Sequence, residues 1–337
     1  MRKKALFICG SMNQTTMMHK ISKHLLGFDS FFTPYYDDGI IGYLASKGLL
    51  EFTILGNKAR TKTENYLIGN KLNIDPEKRN NEYDLVFTCS DLIIPNNIRF
   101  NKIILIQEGM TDPENFMYYL VKYLGLPRFL ASTSTTGLSD AYRLFFVASE
   151  GYKKLFIKKG VNPEKIVVTG IPNFDNTIEF IKNDFPHKNF VLVATSDSRE
   201  TFKYENRKKF IKKAIEIANG RKLIFKLHPN ENFKRAINEI NKYAPNALVY
   251  TDENINHMIA NCDVLITKYS TVVYIGIALG KEVYSYFNID QLKELSPIQN
   301  NGTSAELIAF KSLQYHFCPN LWLKSQNVQQ IRKIITC

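Results

Sequence analysis

The sequence predicts an α/β protein of two domains, each a doubly wound parallel sheet, facing each other across a cleft. Three observations predict it. Short apolar runs alternate with amphipathic helical patterns from end to end of the chain. The alternation breaks once, over residues 170–188, where Gly170-Ile171-Pro172-Asn173 closes one run and Asp184-Phe185-Pro186 interrupts the pattern that follows. Several runs end abruptly in polar, donor-rich residues, and in open α/β sheets ligands bind outside the carboxyl ends of the strands.

In chain order, the first domain's strands are expected at residues 5–9, 52–55, 85–88, 103–106, 144–148 and 166–169. Each is short and continuously apolar, the signature of a strand covered on both faces. After Pro186 the same unit restarts with strands at 190–194, 223–225, 247–250, 264–267 and 283–287. Between these lie helical patterns at 207–218, 233–243 and 271–279, with Gly220 and Gly280 where helix ends favour a left-handed residue. The expected division is therefore a Rossmann-like domain at 1–180, a second at 181–325, and a helix within 326–337 packing back on the first. No low-complexity segment and no repeat of solenoid length interrupts the pattern.

Hydrophobic residues make up 45% and charged residues 23% of the 337, a globular composition. The net charge of +12 favours anionic partners, and a lysine-rich solvated surface would give the same figure. The five cysteines, Cys9, Cys89, Cys262, Cys318 and Cys337, form no C-x-x-C pair and sit among apolar neighbours, which fits buried thiols in a reducing compartment. Met1-Arg2-Lys3-Lys4 imitates a signal peptide, but the apolar run behind it is too short. No stretch approaches the roughly 18 apolar residues of a membrane span. A cytoplasmic protein is expected, working at the inner face of the membrane if it meets one.

The strongest candidate for chemistry is Lys226-Leu227-His228-Pro229, at the end of the run 222–225. Pro229 fixes the turn, and His228 can donate to a phosphate oxygen or leaving group; a histidine that merely caps the strand would look the same. Ser270-Thr271 follows a second strand and precedes a helical pattern, where hydroxyls and free N–H groups suit an anion as well as a plain N-cap. Thr195-Ser196 ends the second domain's first strand, with Ser198, Arg199 and Lys203 behind it. In the first domain, Gln107-Glu108-Gly109 ends the strand 103–106; a carboxylate there can deprotonate an acceptor hydroxyl, and Gly109 permits close approach. Asp37-Asp38-Gly39 is a rival acidic triplet, so Asp38 competes with Glu108 for the role of base. Gly10-Ser11-Met12-Asn13 follows the first strand without matching a dinucleotide fingerprint and can line the acceptor side. No metal-ligand cluster and no nucleic-acid motif is visible, and the basic residues are spread over helices.

The strand-end pairs His228-Pro229 and Ser270-Thr271, with Gln107-Glu108-Gly109, make the chain resemble glycosyltransferases of the GT-B fold. The resemblance is to those using cytidine-activated donors: bacterial sialyltransferases, Kdo transferases and CDP-glycerol glycerophosphotransferases. The first of these families carries an acidic-acidic-Gly triplet, an HP pair and a Ser pair; here the triplet reads Q-E-G and the pair S-T. The stretch 147–175, with Ser149-Glu150-Gly151-Tyr152 and Gly170-Ile171-Pro172, is similar to the segment before the interdomain linker in GT-B transferases and UDP-GlcNAc 2-epimerases.

The resemblance implies an inverting, metal-independent transferase with no cofactor beyond its nucleotide-sugar substrate, a cytidine nucleotide being favoured. Glu108 would be the general base and His228 the group assisting the leaving phosphate. Thr195, Ser196, Arg199, Lys226, Pro229, Ser270 and Thr271 would hold donor phosphates, with Thr251 and Met258 near the base. Gly10, Ser11 and Gly109 would line the acceptor side, for a glycan or glycolipid. The basic segments 153–159 and 208–213 would allow peripheral contact with an anionic membrane. A UDP-sugar 2-epimerase-like enzyme, a glycerophosphotransferase-like polymer enzyme and a non-catalytic nucleotide-binding scaffold remain alternatives.

Overall fold

The computed structural model describes residues 2–51, 53–200 and 204–319. The chain forms two compact units: residues up to Asp175 together with the segment from Asn300 on, and residues Asn176–Gln299.

The first unit carries strands β1 (Lys3–Cys9), β2 (Phe28–Pro34), β3 (Leu85–Thr88), β4 (Ile103–Ile106), β5 (Leu144–Val147) and β6 (Ile166–Val168). They form one sheet in the order β2-β1-β3-β4-β5-β6, with every pairing parallel. Its helices are α1 (Met12–Ser22), α2 (Ile40–Ser46), α3 (Asn57–Gly69), α4 (Phe116–Leu124) and α5 (Glu150–Lys159). The second unit carries β7 (Val191–Ala194), β8 (Leu223–Lys226), β9 (Leu248–Tyr250), β10 (Val264–Ile266) and β11 (Glu282–Tyr284), with helices α6 (Arg207–Ala218), α7 (Phe233–Tyr243), α8 (Ile255–Asn261), α9 (Val273–Ala278) and α10 (Ile289–Leu295). Its sheet, again all parallel, runs β11-β10-β7-β8-β9. The final described helix, α11 (Ser304–Phe317), belongs to the first unit.

The central strands are apolar because both faces are covered. Every residue of β3, β4, β5, β7 and β8 is buried. In the second unit Val191, Val193, Phe225, Val264 and Ile266 pack against Phe210, Ile211 and Ala214 of α6 and Ala236 and Ile240 of α7. In the first unit Phe7 stacks between Phe32 and Phe87, with centroids 5.2 and 4.7 Å apart. Asn219, in the left-handed region, caps α6 just before Gly220, and Gly280 follows α9 at φ +68°, so both glycines sit where a helix reverses.

Three expectations about elements are corrected. Residues 53–55 form no strand: Thr53 Oγ1 donates to the Leu50 carbonyl at 2.8 Å and accepts from the Leu55 amide at 3.1 Å. That local hydroxyl turn competes with the extended ladder and leads into α3. The strand that flanks β1 is β2, whose sequence F-D-S-F-F-T-P hides behind Asp29 and Ser30 because an edge strand tolerates polar residues. The second unit ends at Gln299 rather than running to 325, because the returning segment is tied into the first unit. Asp175 accepts the Asn300 amide on its carbonyl at 2.9 Å and the Ser304 amide on its carboxylate at 2.8 Å, and Ser304 Oγ donates to the Thr169 carbonyl at 2.9 Å. The helix expected within 326–337 lies outside the described residues. Among the described residues no helix is long and apolar enough to cross a membrane.

Asp175 is 2% exposed and supplies the first amide of α11 with its acceptor. Asp175→Ala should therefore lower the stability of the first unit by about 1–3 kcal/mol in urea unfolding.

Candidate functional sites in the two units

Strand order fixes where each sheet opens. In the first unit the order reverses between β1 and β3, and in the second between β7 and β10. Such switch points open a crevice at the carboxyl ends of the strands. The candidate residues are described unit by unit.

In the first unit, β1 ends at Cys9 and Gly10 leads into α1. Ser11 is the N-cap, its hydroxyl accepting the Gln14 amide at 3.2 Å. The same hydroxyl donates to Glu108 Oε1 at 2.6 Å. Gln14 Nε2 donates to Glu108 Oε2 at 2.5 Å, and Asn13 Nδ2 lies 3.4 Å from Oε1 and 3.3 Å from the Glu108 carbonyl. Three side chains of one helix start thus converge on one half-buried carboxylate. Gly10 lies against the same cluster: a Cβ there would lie 2.2 Å from Gln14 Oε1, so the Gln14 side chain would have to shift. That oxygen is buried and without a hydrogen-bond partner. The Cys89 thiol is pushed far up by burial and by the charge of Glu108.

The rest of the triplet has other work. Gln107 is 1% exposed; it donates to the Gly109 carbonyl at 2.8 Å and accepts the Ala148 amide at 2.9 Å, tying the Glu108 loop to the end of β5. In the rival triplet, Asp37 accepts the amides of Gly39 and Gly42 at 3.1 and 3.0 Å, and Asp38 those of Asn96 and Asn97 at 2.6 and 2.9 Å. Both of those carboxylates anchor backbone.

In the second unit the carboxyl ends of β10, β7 and β8 are neighbours. Thr195 and Ser196 follow β7, Leu227-His228-Pro229 follow β8, and Thr267–Thr271 follow β10. The loops are organised by Glu231, which sequence reasoning missed. Its carboxylate accepts from Thr195 Oγ1, from the His228 amide at 3.1 Å and from Arg207 Nη2. Arg207, the first residue of α6, also pairs through Nε with Glu205 at 2.8 Å; the Glu205 and Glu231 side chains are 1% exposed. Lys268 Nζ stands 3.9 Å from Glu205, and burial holds its ammonium below the usual lysine range, with the nearby Glu205 charge opposing. The spacing of His228 and Glu231 by three is the one sequence signal for this hub, as the S-x-x-Q spacing of Ser11 and Gln14 is for the other.

His228 is about one-third exposed. Its Nδ1 faces the Asn230 amide at 3.3 Å, which assigns the ring proton of the neutral form to Nε2. Asp197 Oδ2 lies 3.6 Å from Nδ1 and accepts from Asn230 Nδ2 at 3.2 Å. Lys226 Nζ donates to the carbonyls of Leu227 and Thr251 at 2.9 and 2.7 Å, so it clasps the ends of β8 and β9; burial lowers its pKa against the pull of Asp252 and Glu253. Arg199 makes a bidentate pair with Glu239 of α7 at 2.8 and 2.9 Å, and Ser196 Oγ meets Ser198 Oγ at 2.9 Å. Thr251 Oγ1 donates to Asp252, and Met258 is fully buried in α8. Pro229 is exposed. Ser270 and Thr271 start a turn whose carbonyls accept the amides of Val273 and Tyr274; α9 has six residues, and its cap, Val272, makes no side-chain cap bond. Lys203 lies outside the described residues. Among the described residues no group of three His, Cys, Asp or Glu side chains is placed to hold a metal ion.

Glu231 is buried with Arg207, so removing it leaves that guanidinium with Glu205 alone and strips Thr195 and the His228 amide of their acceptor. Glu231→Ala should destabilise the second unit by about 3–5 kcal/mol in denaturant titration, more than Arg235→Ala at an exposed pair.

No family model matches the sequence, and no curated protein is similar enough to count as a relative. Solved structures do match over nearly the whole chain. A Listeria monocytogenes protein provisionally described as a UDP-N-acetylglucosamine 2-epimerase aligns with a TM-score of 0.58 at 12% identity, over 95% of this chain and 97% of its own. The UDP-GlcNAc 2-epimerase of Neisseria meningitidis, bound to UDP-GlcNAc, gives 0.56 at 12% identity over 92% and 100%. The Methanocaldococcus jannaschii enzyme, in complex with UDP-GlcNAc and UDP, gives 0.51 at 14% over 93% and 99%. At such identities the likeness is one of fold: two Rossmann-like α/β domains of the GT-B type.

Proposed function

We propose that the chain is an enzyme acting on a nucleotide-activated sugar, a glycosyltransferase that moves the sugar to a hydroxyl of a glycan or glycolipid. The observation that carries the reading is the second unit's switch point: three adjacent strand ends gather Lys268, Lys226, His228 and the Ser270-Thr271 turn. These groups suit phosphate oxygens, with the Nε2–H of His228 as donor to the phosphate that leaves. Lys226 braces the strand ends that carry His228, Lys268 stands beside Glu205, and the reading calls for no metal. Thr195 and Arg199, bonded to Glu231 and Glu239, shape the loop and act as positioning residues.

In the first unit Glu108 is the proposed base. An acceptor hydroxyl takes the place of one of its three donors, passes its proton to the carboxylate, and its oxygen attacks the anomeric carbon, inverting it. Ser11 and Asn13 then orient the acceptor. Among nucleotides, the resemblance to transferases with cytidine-activated donors, carried by the HP pair and the Ser-Thr turn, favours cytidine. A second reading, a UDP-sugar 2-epimerase, is favoured by the whole-chain likeness to such enzymes.

Thermal unfolding with CMP, CDP, UDP, GDP and ADP tests the nucleotide. One pyrimidine nucleotide should stabilise the chain by roughly 2.7 kcal/mol at a hundredfold excess over its Kd, and no shift with any of them overturns the reading. Glu108→Gln should lower transfer about 10²- to 10⁴-fold while leaving that stabilisation in place. Turnover of UDP-GlcNAc without acceptor would select the epimerase, and unchanged turnover in Glu108→Gln would remove the base.

A further inference from the structure

The helix α4 reads F-M-Y-Y-L-V-K-Y-L, with Lys122 its one charge. Its inward face is already defined: Tyr118 and Val121, three residues apart, pack with Ala131, Met117 and Leu138. The opposite face is as apolar as the inward one. Phe116 is 74% exposed, Tyr123 73% and Leu124 67%, and Tyr119 joins them. Past Gly125, which ends the helix at φ +67°, Phe129 and Leu130 continue the same exposed stretch. A helix apolar all round normally lies in a core or in lipid. Contiguous exposed apolar surface of this kind marks an interaction site.

The surroundings say what covers it. Lys122 Nζ donates to the Lys159 carbonyl at 3.1 Å, which brings α4 against the end of α5. On α5, Lys154 and Lys158 are exposed, and Arg128 is half-exposed after α4. The acidic groups beside them are Asp112, which accepts from Thr133 Oγ1 at 3.1 Å, Glu114 just before the helix, and Glu150 at the start of α5. The patch is therefore apolar and aromatic, with Lys122 on the helix itself and Lys158 next to the residue whose carbonyl Lys122 bonds, on a chain of net charge +12. Phenolic rings with apolar bodies and polar tips suit the boundary between lipid tails and headgroups, and lysines beside them suit anionic phosphates. A second copy fits less well, because a two-fold interface would set these lysines against one another.

We infer that the surface formed by α4 and the segment to Leu130 seats the protein on an anionic lipid bilayer. The aromatic and leucine side chains enter the interface, and Lys122, Lys154 and Lys158 meet the headgroup phosphates. This contact stands apart from the proposed reaction, and it replaces a contact through charge alone with one anchored by apolar side chains.

Flotation of the full chain with phosphatidylglycerol-containing vesicles, and with pure phosphatidylcholine vesicles, tests it. The protein should float with the anionic vesicles and lose most of that binding at high salt. The triple variant Phe116→Ser, Tyr123→Ser, Leu124→Ser should bind at least about tenfold less. Lys154→Glu with Lys158→Glu, which leaves the apolar face intact, should also bind about tenfold less to anionic vesicles. Absence of vesicle binding by the unaltered chain overturns the inference, as does binding by both variants that equals that of the unaltered chain. So does a chain that sediments as a dimer, becomes monomeric in the triple variant and ignores vesicles. Nucleotide-induced stabilisation, followed in the same preparations, reports on the proposed reaction separately.

Discussion

The strand-end loops of the second unit depend on one buried carboxylate. Glu231 gathers the hydroxyl of Thr195 from the end of β7, the amide of His228 from the end of β8 and the guanidinium of Arg207 from the start of α6. An uncompensated charge at that depth would be expensive, so the three donors and the carboxylate hold one another in place. The position of His228 follows from this. Its amide is pinned by Glu231, and its ring is set by the amide two residues on.

The first unit reaches a comparable arrangement by a different route. Glu108 is not buried behind its partners; it receives donors from Ser11, Asn13 and Gln14 at the start of α1. The loop that carries it is fixed from beneath by Gln107. In both units a rigid parallel sheet supplies the floor, and side-chain hydrogen bonds determine which groups are left facing outward. The difference lies in solvent: Glu231 is closed off, whereas Glu108 keeps part of its surface.

The alternation of buried strands and helices was legible in the sequence because parallel strands covered on both faces must be apolar throughout, as in I-I-L-I of β4 and V-L-V-A of β7. β2 was not, since an edge strand carries Asp29 and Ser30, and residues 53–55 misled because Thr53 satisfies its neighbours locally. The placing of Lys226, His228 and Glu108 at strand ends was also legible, since it depends on where apolar runs stop. What those side chains bond was not. Lys226 grips its neighbour's carbonyl and that of Thr251, Arg199 a glutamate of α7 and Thr195 the hidden Glu231, and every partner but Leu227 comes from a segment distant in sequence. Nothing in the order of residues shows that Gln107 turns inward while Glu108 beside it turns out; that follows from the pleat and from the amide of Ala148.

The charge at the second unit's strand ends bears on how an anion could be held there. Lys268 and Arg207 face Glu205 and Glu231, Arg199 faces Glu239, and the His228 ring faces Asp197. Lys268, Arg207 and Arg199 already have acidic partners and Lys226 bonds two carbonyls, so the net charge of +12 is not concentrated in this crevice. A phosphate arriving there gains little from long-range attraction and must instead exchange partners. Against Glu231 and Arg207 that exchange is closed, because both are sealed below the loops. Against Asp197 it is open: the His228 contact is 3.6 Å long and the ring is about one-third exposed. A phosphate oxygen approaching Nε2 reaches the nitrogen that carries the proton of the neutral ring, while Nδ1 stays with the Asn230 amide. Binding by such exchange would select a ligand on geometry more than on charge, because the carboxylate hub beneath the loops fixes where His228 stands.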